Sequence, residues 1–248
     1  GHDIIFGLPF QEKEDVIDTI EKTKSLQPDR LAFYSYAHVP WIKGNGQRGF
    51  NDEDIPKDNA KRELYETGKQ LLYKNDYHEI GMDHFALTTD SLFESFEIGK
   101  LHRNFMGYSS SKTQLMIGLG VSSISDSWYS FAQNVKSIEE YYHLLDTNTI
   151  PVFRGHLLTE EDLIIRRHIL NLMCQFETSW AEPKYYFKEI PEVIVQLKEM
   201  EKDGLIHFIP NGIQVTEEGK PFVRNICMAF DLLLKRKAPD TALFSMTV

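Results

Sequence analysis

The runs DIIFGLP at residues 3–9 and LAFYSY at residues 31–36 decide the fold of the first part of this 248-residue chain. Both have the length and apolar character of buried strands, and Gly7-Leu8-Pro9 ends the first. Residues 12–26 between them carry apolar side chains at helical spacing. Strand, helix and strand with short links form a βαβ unit, which predicts an α/β fold with a parallel sheet. Ligands of such sheets gather where strands end, so Gly7–Pro9 and Tyr36–His38 become candidates for a functional rim.

Three patches farther along the chain mix glycines with polar and aromatic side chains, at residues 81–86, 101–108 and 118–125. None has a clean apolar period, although residues 115–120, which lead through the third patch, are predicted to form a strand. Glycine lacks a Cβ and reaches positive φ, so such mixtures are typical of places where backbone approaches a ligand closely. Tight turns around ordinary strands would give the same mixture, and the spacing alone leaves both interpretations open.

The last third of the chain has a different pattern of predicted elements, namely helices and a β-hairpin. Residues 159–162 form a helix start that resembles a capping box. A helix over Pro191–Asp203, the hairpin signal Asn211-Gly212 between two apolar runs, and a final helix over residues 217–235 together indicate a winged-helix-like module. We therefore predict a first domain at residues 1–150, a helical cap domain at 151–238 and a tail at 239–248.

Composition narrows the classes of function. The net charge is −10 and 42% of the residues are hydrophobic, which indicates a globular protein with no bulk attraction for nucleic acid. The helix over Pro191–Asp203, which would enter the groove if the module bound DNA, carries a net charge of −2 (four acidic and two basic residues). No apolar run approaches the length of a membrane span. The two cysteines, Cys174 and Cys227, are expected as buried free thiols in the reducing cytoplasm.

Local motifs do not identify a catalytic group. His38, His84 and His102 lie in polar segments but lack the spacing of metal ligands on one element, so we predict no metal site made by this chain. No G-x-S-x-G elbow selects a serine nucleophile, and no glycine loop ends in the Lys-Ser/Thr of a P-loop. The catalytic residues stay unassigned.

Several motifs nonetheless carry a family resemblance. The chain resembles the oxygen-independent coproporphyrinogen III oxidases, which are radical S-adenosylmethionine (SAM) enzymes. The Gly-Met-Asp-His-Phe-Ala and His-Arg-Asn-Phe-x-Gly-Tyr patches are the most specific, because heme-chaperone relatives differ there. The matching stretches are residues 3–11, 28–31, 36–40, 81–86, 101–108, 118–125 and 224–228.

The resemblance implies the last part of a radical SAM partial (β/α) barrel followed by a helical cap. It implies oxidative decarboxylation of two propionates of coproporphyrinogen III to vinyl groups, giving protoporphyrinogen IX in anaerobic heme biosynthesis. A 4Fe–4S cluster, fed by an electron donor, would cleave SAM reductively. By match to family positions, Asp3, Ala37 and Ile124 are expected to contact SAM. We expect the three residues to converge on one rim of the barrel, at the carboxyl ends of their strands.

The chain departs from the family in one respect. The cluster motif CxxxCxxC and the first barrel strands are absent, so we expect a C-terminal fragment that holds no cluster and has no turnover alone. A tetrapyrrole-binding chaperone module derived from the same barrel is the main alternative, and a winged-helix interaction protein is another.

The substrate of the family carries four carboxylates, whereas this chain is acidic. Binding would therefore need a local cluster of positive charge, and arginine suits a carboxylate best because its planar fork bonds both oxygens. Arg103 is the first candidate and Arg48 the second. An ion pair of Arg103 with Asp83 is the structural alternative.

Overall fold

A computed structural model of the chain describes residues 1–40, 47 and 49–237. These residues divide into two compact units, one formed by Gly1–Ile98 with the segment from Leu232, and the other by Gly99–Asp231. The boundary predicted near Pro151 falls inside the second unit and stays a prediction, as does the assignment of a cap domain. The predicted tail, residues 239–248, and Arg48 lie outside the described residues.

The first unit is a four-stranded sheet with its helices. Its elements are β1 (His2–Phe6), α1 (Lys13–Ser25), β2 (Arg30–Ser35), a 3-10 turn (Asp52–Asp54), α2 (Asp58–Tyr73), β3 (Tyr77–Gly81), β4 (His84–Leu87), α3 (Ser91–Glu97) and α8 (Leu232–Lys237). The strand order is β1-β2-β4-β3. The predicted βαβ unit is confirmed, because β1 and β2 pair in parallel.

The expectation of a parallel sheet is wrong beyond that pair. Strand β4 is antiparallel to both β2 and β3. The reason is the turn between β3 and β4, where Met82 and Asp83 take positive φ values of 22° and 65° and fold the two strands into a hairpin. A mixed α/β architecture is confirmed, whereas the partial barrel stays a prediction.

An aromatic cluster fills the core of the first unit. The ring of Phe33 lies 4.7 Å from that of Phe6 and 5.9 Å from that of Tyr65, measured between centroids. All three side chains are buried. Gly68 on α2 lets the ring of Phe33 pack directly on the helix backbone, because a Cβ at this position would overlap the ring. Sheet and helix are therefore joined by close packing that no larger residue permits.

The second unit contains two antiparallel sheets, a hairpin and four α-helices. Its elements are β5 (His102–Asn104), β6 (Gly107–Ser109), β7 (Leu115–Met116), β8 (Ile124–Ser127), β9 (Ser130–Asn134), α4 (Ile138–Asp146), β10 (Val152–Leu157), α5 (Glu160–Gln175), β11 (Glu177–Ser179), a 3-10 turn (Pro183–Tyr185), α6 (Ile190–Lys202), β12 (Ile206–Ile209), β13 (Gly212–Val215), a 3-10 turn (Lys220–Phe222) and α7 (Val223–Met228). The sheet orders are β10-β9-β8-β7 and β11-β13-β12, and β5 pairs with β6.

Local signals located several of these elements. The capping box at the start of α5 is confirmed, with the Thr159 hydroxyl accepting from the backbone of Asp162 and the Asp162 carboxylate accepting from that of Thr159. The hairpin of β12 and β13 is also confirmed, and Asn211 takes the left-handed φ of 52° at its turn. The winged-helix-like classification of this part of the chain stays a prediction.

Two predicted elements are wrong. The final helix over residues 217–235 is broken into a 3-10 turn, α7 and α8, since Pro221 has no backbone N–H and a separate turn at 229–231 ends α7. The strand predicted over residues 115–120 stops at Met116. Beyond it, the backbone carbonyls of Gly118 and Gly120 bond the side chain of Asn134 in place of a strand partner.

Candidate functional site

The loops after β1 and β2 lie at one edge of the first sheet, as predicted for Gly7–Pro9 and Tyr36–His38. The backbone N–H of Tyr36 donates to the carbonyl of Phe6, which extends the pairing of the two strands to their ends. The side-chain oxygen of Gln11 accepts from the N–H groups of Gly7 and Leu8 at 2.6 and 3.2 Å. This edge is therefore a fixed surface.

Ala37 occupies an exposed position on this edge. The side chain of Gln47 bridges the loop, donating to the Ala37 carbonyl and accepting from the Val39 N–H, both at 2.7 Å. His38 beside it contacts Asp52 through Nε2 at 3.0 Å, while its buried Nδ1 has no hydrogen-bond partner among the described residues. The side chain of His38 is therefore anchored through Nε2, and its buried Nδ1 makes no hydrogen bond to the described residues.

Asp3 and Ile124 do not lie at the carboxyl ends of their strands, where we expected them. Asp3 is the second residue of β1, opposite Ala32, and its side chain is exposed. Ile124 begins β8. Neither residue follows the carboxyl end of its strand, so that part of the expectation is wrong. Their contact with SAM, and their convergence with Ala37, stay predictions.

The loop that leads to Ile124 is built on glycine. A Cβ on Gly118 would lie 2.7 Å from the carbonyl oxygen of Ile124, so only glycine fits. The Gly118 N–H donates to the hydroxyl of Ser125 at 3.0 Å, and the buried Asn134 amide donates to the carbonyls of Gly118 and Gly120 at 3.2 and 2.9 Å. These contacts fix the backbone around Ile124.

Arg103 is half-buried on β5. Its guanidinium carbon lies 4.5 Å from the centroid of the Tyr108 ring, a cation–π distance. Its Nη1 is buried and has no hydrogen-bond partner among the described residues. A buried unpaired donor is costly, and a carboxylate oxygen would satisfy it, so a contact from Arg103 to a substrate carboxylate stays a prediction.

The two thiols are buried and free, as predicted. Burial raises the pKa of both Cys174 and Cys227 to about 12, against an opposing effect of the positive charge of Arg103. The family's cluster motif supplies three cysteine thiolates, whereas this chain has two cysteines. Across the described residues, no group of three His, Cys, Asp or Glu side chains could hold a metal ion. These thiols therefore do not fit as ligands of the family's cluster.

The second unit contains a half-open cavity of about 790 Å³. One face of α5 lines it at helical spacing, and the other walls come from four separate segments. The lining residues are Gly99, Lys100, Leu101, His102, Ser110, Lys112, Trp128, Tyr129, Leu163, Arg166, Arg167, Leu170, Asn171, Cys174, Gln175 and Tyr185. Four of them are cationic, and no Asp or Glu is among these described lining residues.

Two of these cations, Lys112 and Arg167, lie over aromatic rings. The ammonium of Lys112 lies 4.6 Å from the centroid of Trp128, and the guanidinium carbon of Arg167 lies 3.3 Å from that of Tyr185. Burial, together with the charges of Lys112 and Arg166, lowers the pKa of His102 below its usual value, so this ring is neutral at pH 7. The cavity therefore has a net positive field inside an acidic chain.

Arg166 differs from the other three cations because it already has partners. Its guanidinium bonds the carboxylate of Asp126 and the carbonyl of Ser127, each at 2.8 Å. Both Arg166 and Asp126 are largely buried. This pair joins α5 to β8 and leaves Lys100, Lys112 and Arg167 as the charges available to a ligand.

Sequence reasoning missed these cations. Arg166-Arg167 was the available signal, a pair of adjacent cations on one helix, but the lysines reach the cavity from loops far away in the chain. The predicted candidate Arg103 does not line the cavity.

No protein-family model matches the chain. The oxygen-independent coproporphyrinogen III oxidase of Escherichia coli is 37% identical over 95% of this chain and 52% of its own length. The enzymes of the same name from Helicobacter pylori and Synechocystis are each 35% identical over 94% and 95% of the chain. The chain thus spans about half the length of these curated relatives.

A solved structure gives the same result. A coproporphyrinogen III oxidase from Escherichia coli, described as a radical SAM enzyme, superposes with a TM-score of 0.85 at 37% identity, over 94% of this chain and 54% of the other. Sequence and structure therefore point to the same relatives.

Proposed function

Because the chain is a homologue of the oxygen-independent coproporphyrinogen III oxidases over 95% of its length, we propose that it serves the oxidative decarboxylation of coproporphyrinogen III. Two propionates would become vinyl groups, giving protoporphyrinogen IX in anaerobic heme biosynthesis. The superposition at a TM-score of 0.85 with 37% identity carries this proposal, because agreement at both levels is specific to the relatives' own enzyme fold.

SAM and a 4Fe–4S cluster are the proposed cofactors. The cluster supplies the electron that cleaves SAM to a radical, and its ligands would come from residues other than those of this chain. Asp3, Ala37 and Ile124 are proposed to hold SAM. The exposed backbone at Ala37 and the loop braced by Asn134 before Ile124 support this assignment, since fixed main-chain groups can bond an adenine.

Arg103 is the proposed contact for a substrate carboxylate, with Arg48 as the second candidate. The unpaired buried Nη1 of Arg103 supports the first. In the natural full-length product of the gene, Arg103→Leu should lower kcat/KM by the equivalent of about 2–4 kcal/mol with unchanged cofactor content. An unchanged kcat/KM in a folded variant would remove Arg103 from the substrate site.

The proposed partners are coproporphyrinogen III and an electron donor, in the cytoplasm, without nucleic acid or membrane. The acidic charge of the chain supports the exclusion of nucleic acid. Among the described residues, no helix is both long and apolar enough to cross a bilayer. This chain alone is expected to bind no stoichiometric 4Fe–4S cluster after anaerobic reconstitution, and iron and sulfide analysis measures that directly.

Genetic complementation tests the proposal in cells. The natural full-length gene should restore anaerobic growth without added heme to a bacterium that lacks its own coproporphyrinogen III oxidases. The same gene with Gly118→Trp, which blocks the loop before Ile124, is the matched negative control. Failure to complement despite soluble expression would favour the alternative, a tetrapyrrole-binding chaperone without this activity.

A further inference from the structure

The cation-lined cavity of the second unit has the properties of a ligand site. Its volume of about 790 Å³ lies within the range of roughly 300–1,000 Å³ typical of such sites. Its walls combine apolar and aromatic side chains with a small number of charges. Pockets of this composition fix an apolar ligand body and orient it through its polar groups.

The charge of the cavity selects anions. Lys100, Lys112 and Arg167 make no ion pair with a carboxylate among the described residues, and the fourth cation, Arg166, is neutralised by Asp126. Arg167 donates from Nη1 to the Ser179 carbonyl at 3.0 Å, which fixes its guanidinium and leaves its other N–H groups for a ligand. Three cations in a cavity without acidic lining would repel one another unless anions join them.

The walls select the body of the ligand. Trp128, Tyr129 and Tyr185 present rings to the cavity, and Leu163 and Leu170 of α5 add an aliphatic floor. A flat apolar ligand with several carboxylates complements both features. Phosphate anions would complement the charges alone.

We propose that this cavity binds the tetrapyrrole through its propionate carboxylates, with Lys112 and Arg167 as the two main anchoring residues. The inference rests on the proposed function for the identity of the tetrapyrrole. It assigns a binding role to residues away from Arg103, so two propionate contacts would come from the cavity cations in addition to the one proposed for Arg103.

The test is direct binding to this chain. Coproporphyrin III, the stable oxidised form of the substrate with four carboxylates, is titrated while its fluorescence is recorded. The comparison ligands are mesoporphyrin IX, which has two carboxylates, and ATP, whose anionic groups are all phosphates. We expect tightest binding of coproporphyrin III, weaker binding of mesoporphyrin IX, no competition by ATP, and affinity that falls with salt.

Variants locate the site. Lys112→Met and Arg167→Gln should each raise the Kd for coproporphyrin III about 10-fold, because each removes one charge-assisted hydrogen bond. Lys198→Met is the matched control, since it removes an exposed charge of the same unit outside the cavity and should leave Kd unchanged. Folding of each variant is checked by its circular dichroism spectrum.

Several outcomes overturn the inference. They are no saturable binding, a Kd within twofold of the wild type in both cavity variants, or equal competition by ATP. Turnover does not enter this assay. Binding with the expected variant pattern in a protein that fails the decarboxylation assay would refute the proposed function alone, and active enzyme with unaffected cavity variants would refute the cavity site alone.

Discussion

Thr178→Val tests the buried polar contact that supports the cavity wall. His168 is completely buried on α5, and its Nε2 contacts the carbonyl of Tyr185 at 2.9 Å while its Nδ1 contacts the hydroxyl of Thr178 at 2.7 Å. Since a carbonyl only accepts, Nε2 carries the proton and Nδ1 accepts from the hydroxyl. Valine has nearly the shape of threonine, so the substitution removes this donor and creates no cavity.

The expected cost follows from burial. An unsatisfied acceptor in a fully buried ring costs about 1–3 kcal/mol of unfolding free energy. Thr149→Val is the control, because its hydroxyl is exposed and water replaces its contacts, which limits the cost to about 0.5 kcal/mol. Urea unfolding followed by the fluorescence of Trp180, whose ring lies 6.4 Å from that of His168, measures both. A Thr178→Val variant as stable as the control would refute the hydrogen-bond reasoning.

Three further predictions concern stability and reactivity. Burial lowers the pKa of His168 in the folded state, so as pH falls below the unfolded value of about 6.5 the unfolded chain gains a proton that the folded chain does not, and urea midpoints should drop more in the wild type than in His168→Asn. In Gly68→Ala, overlap with Phe33 should cost about 1–3 kcal/mol of unfolding free energy and improved helix propensity should return about 1 kcal/mol, so thermal unfolding at a higher temperature than in the wild type would contradict the packing explanation. Cys174 and Cys227 should react with a thiol reagent only in denaturant, and fast labelling of the native chain would show that they are not buried.

Structural elements that are determined by a few neighbouring residues were predictable from the sequence. The βαβ unit, the capping box at Thr159 and the Asn211-Gly212 turn each depend on a few neighbouring residues, and each is confirmed. The residues of the strand-end edge followed from the same unit. Local propensity and turn chemistry suffice where no distant contact competes with them.

Features that depend on distant contacts were not predictable. Strand β4 pairs with β2, which lies about 50 residues earlier in the chain. The spacing of apolar residues within a strand does not indicate which distant strand it pairs with. The predicted final helix is interrupted between Met228 and Leu232 although its apolar spacing continues. The cavity cations come from separate elements, and Lys112 and Arg167 line the same cavity only once the chain has folded. A single sequence ranks Arg103 above them because it lies inside a recognisable motif.

Product analysis of the natural full-length protein tests the central claim most directly. The purified protein is incubated anaerobically with SAM, a reductant and coproporphyrinogen III, and the porphyrinogens are then oxidised to porphyrins and identified by mass spectrometry. We predict SAM-dependent loss of two carboxyl groups as CO₂, with a product of the mass of protoporphyrin IX. Full cofactor content and tight tetrapyrrole binding with the substrate recovered intact would contradict it.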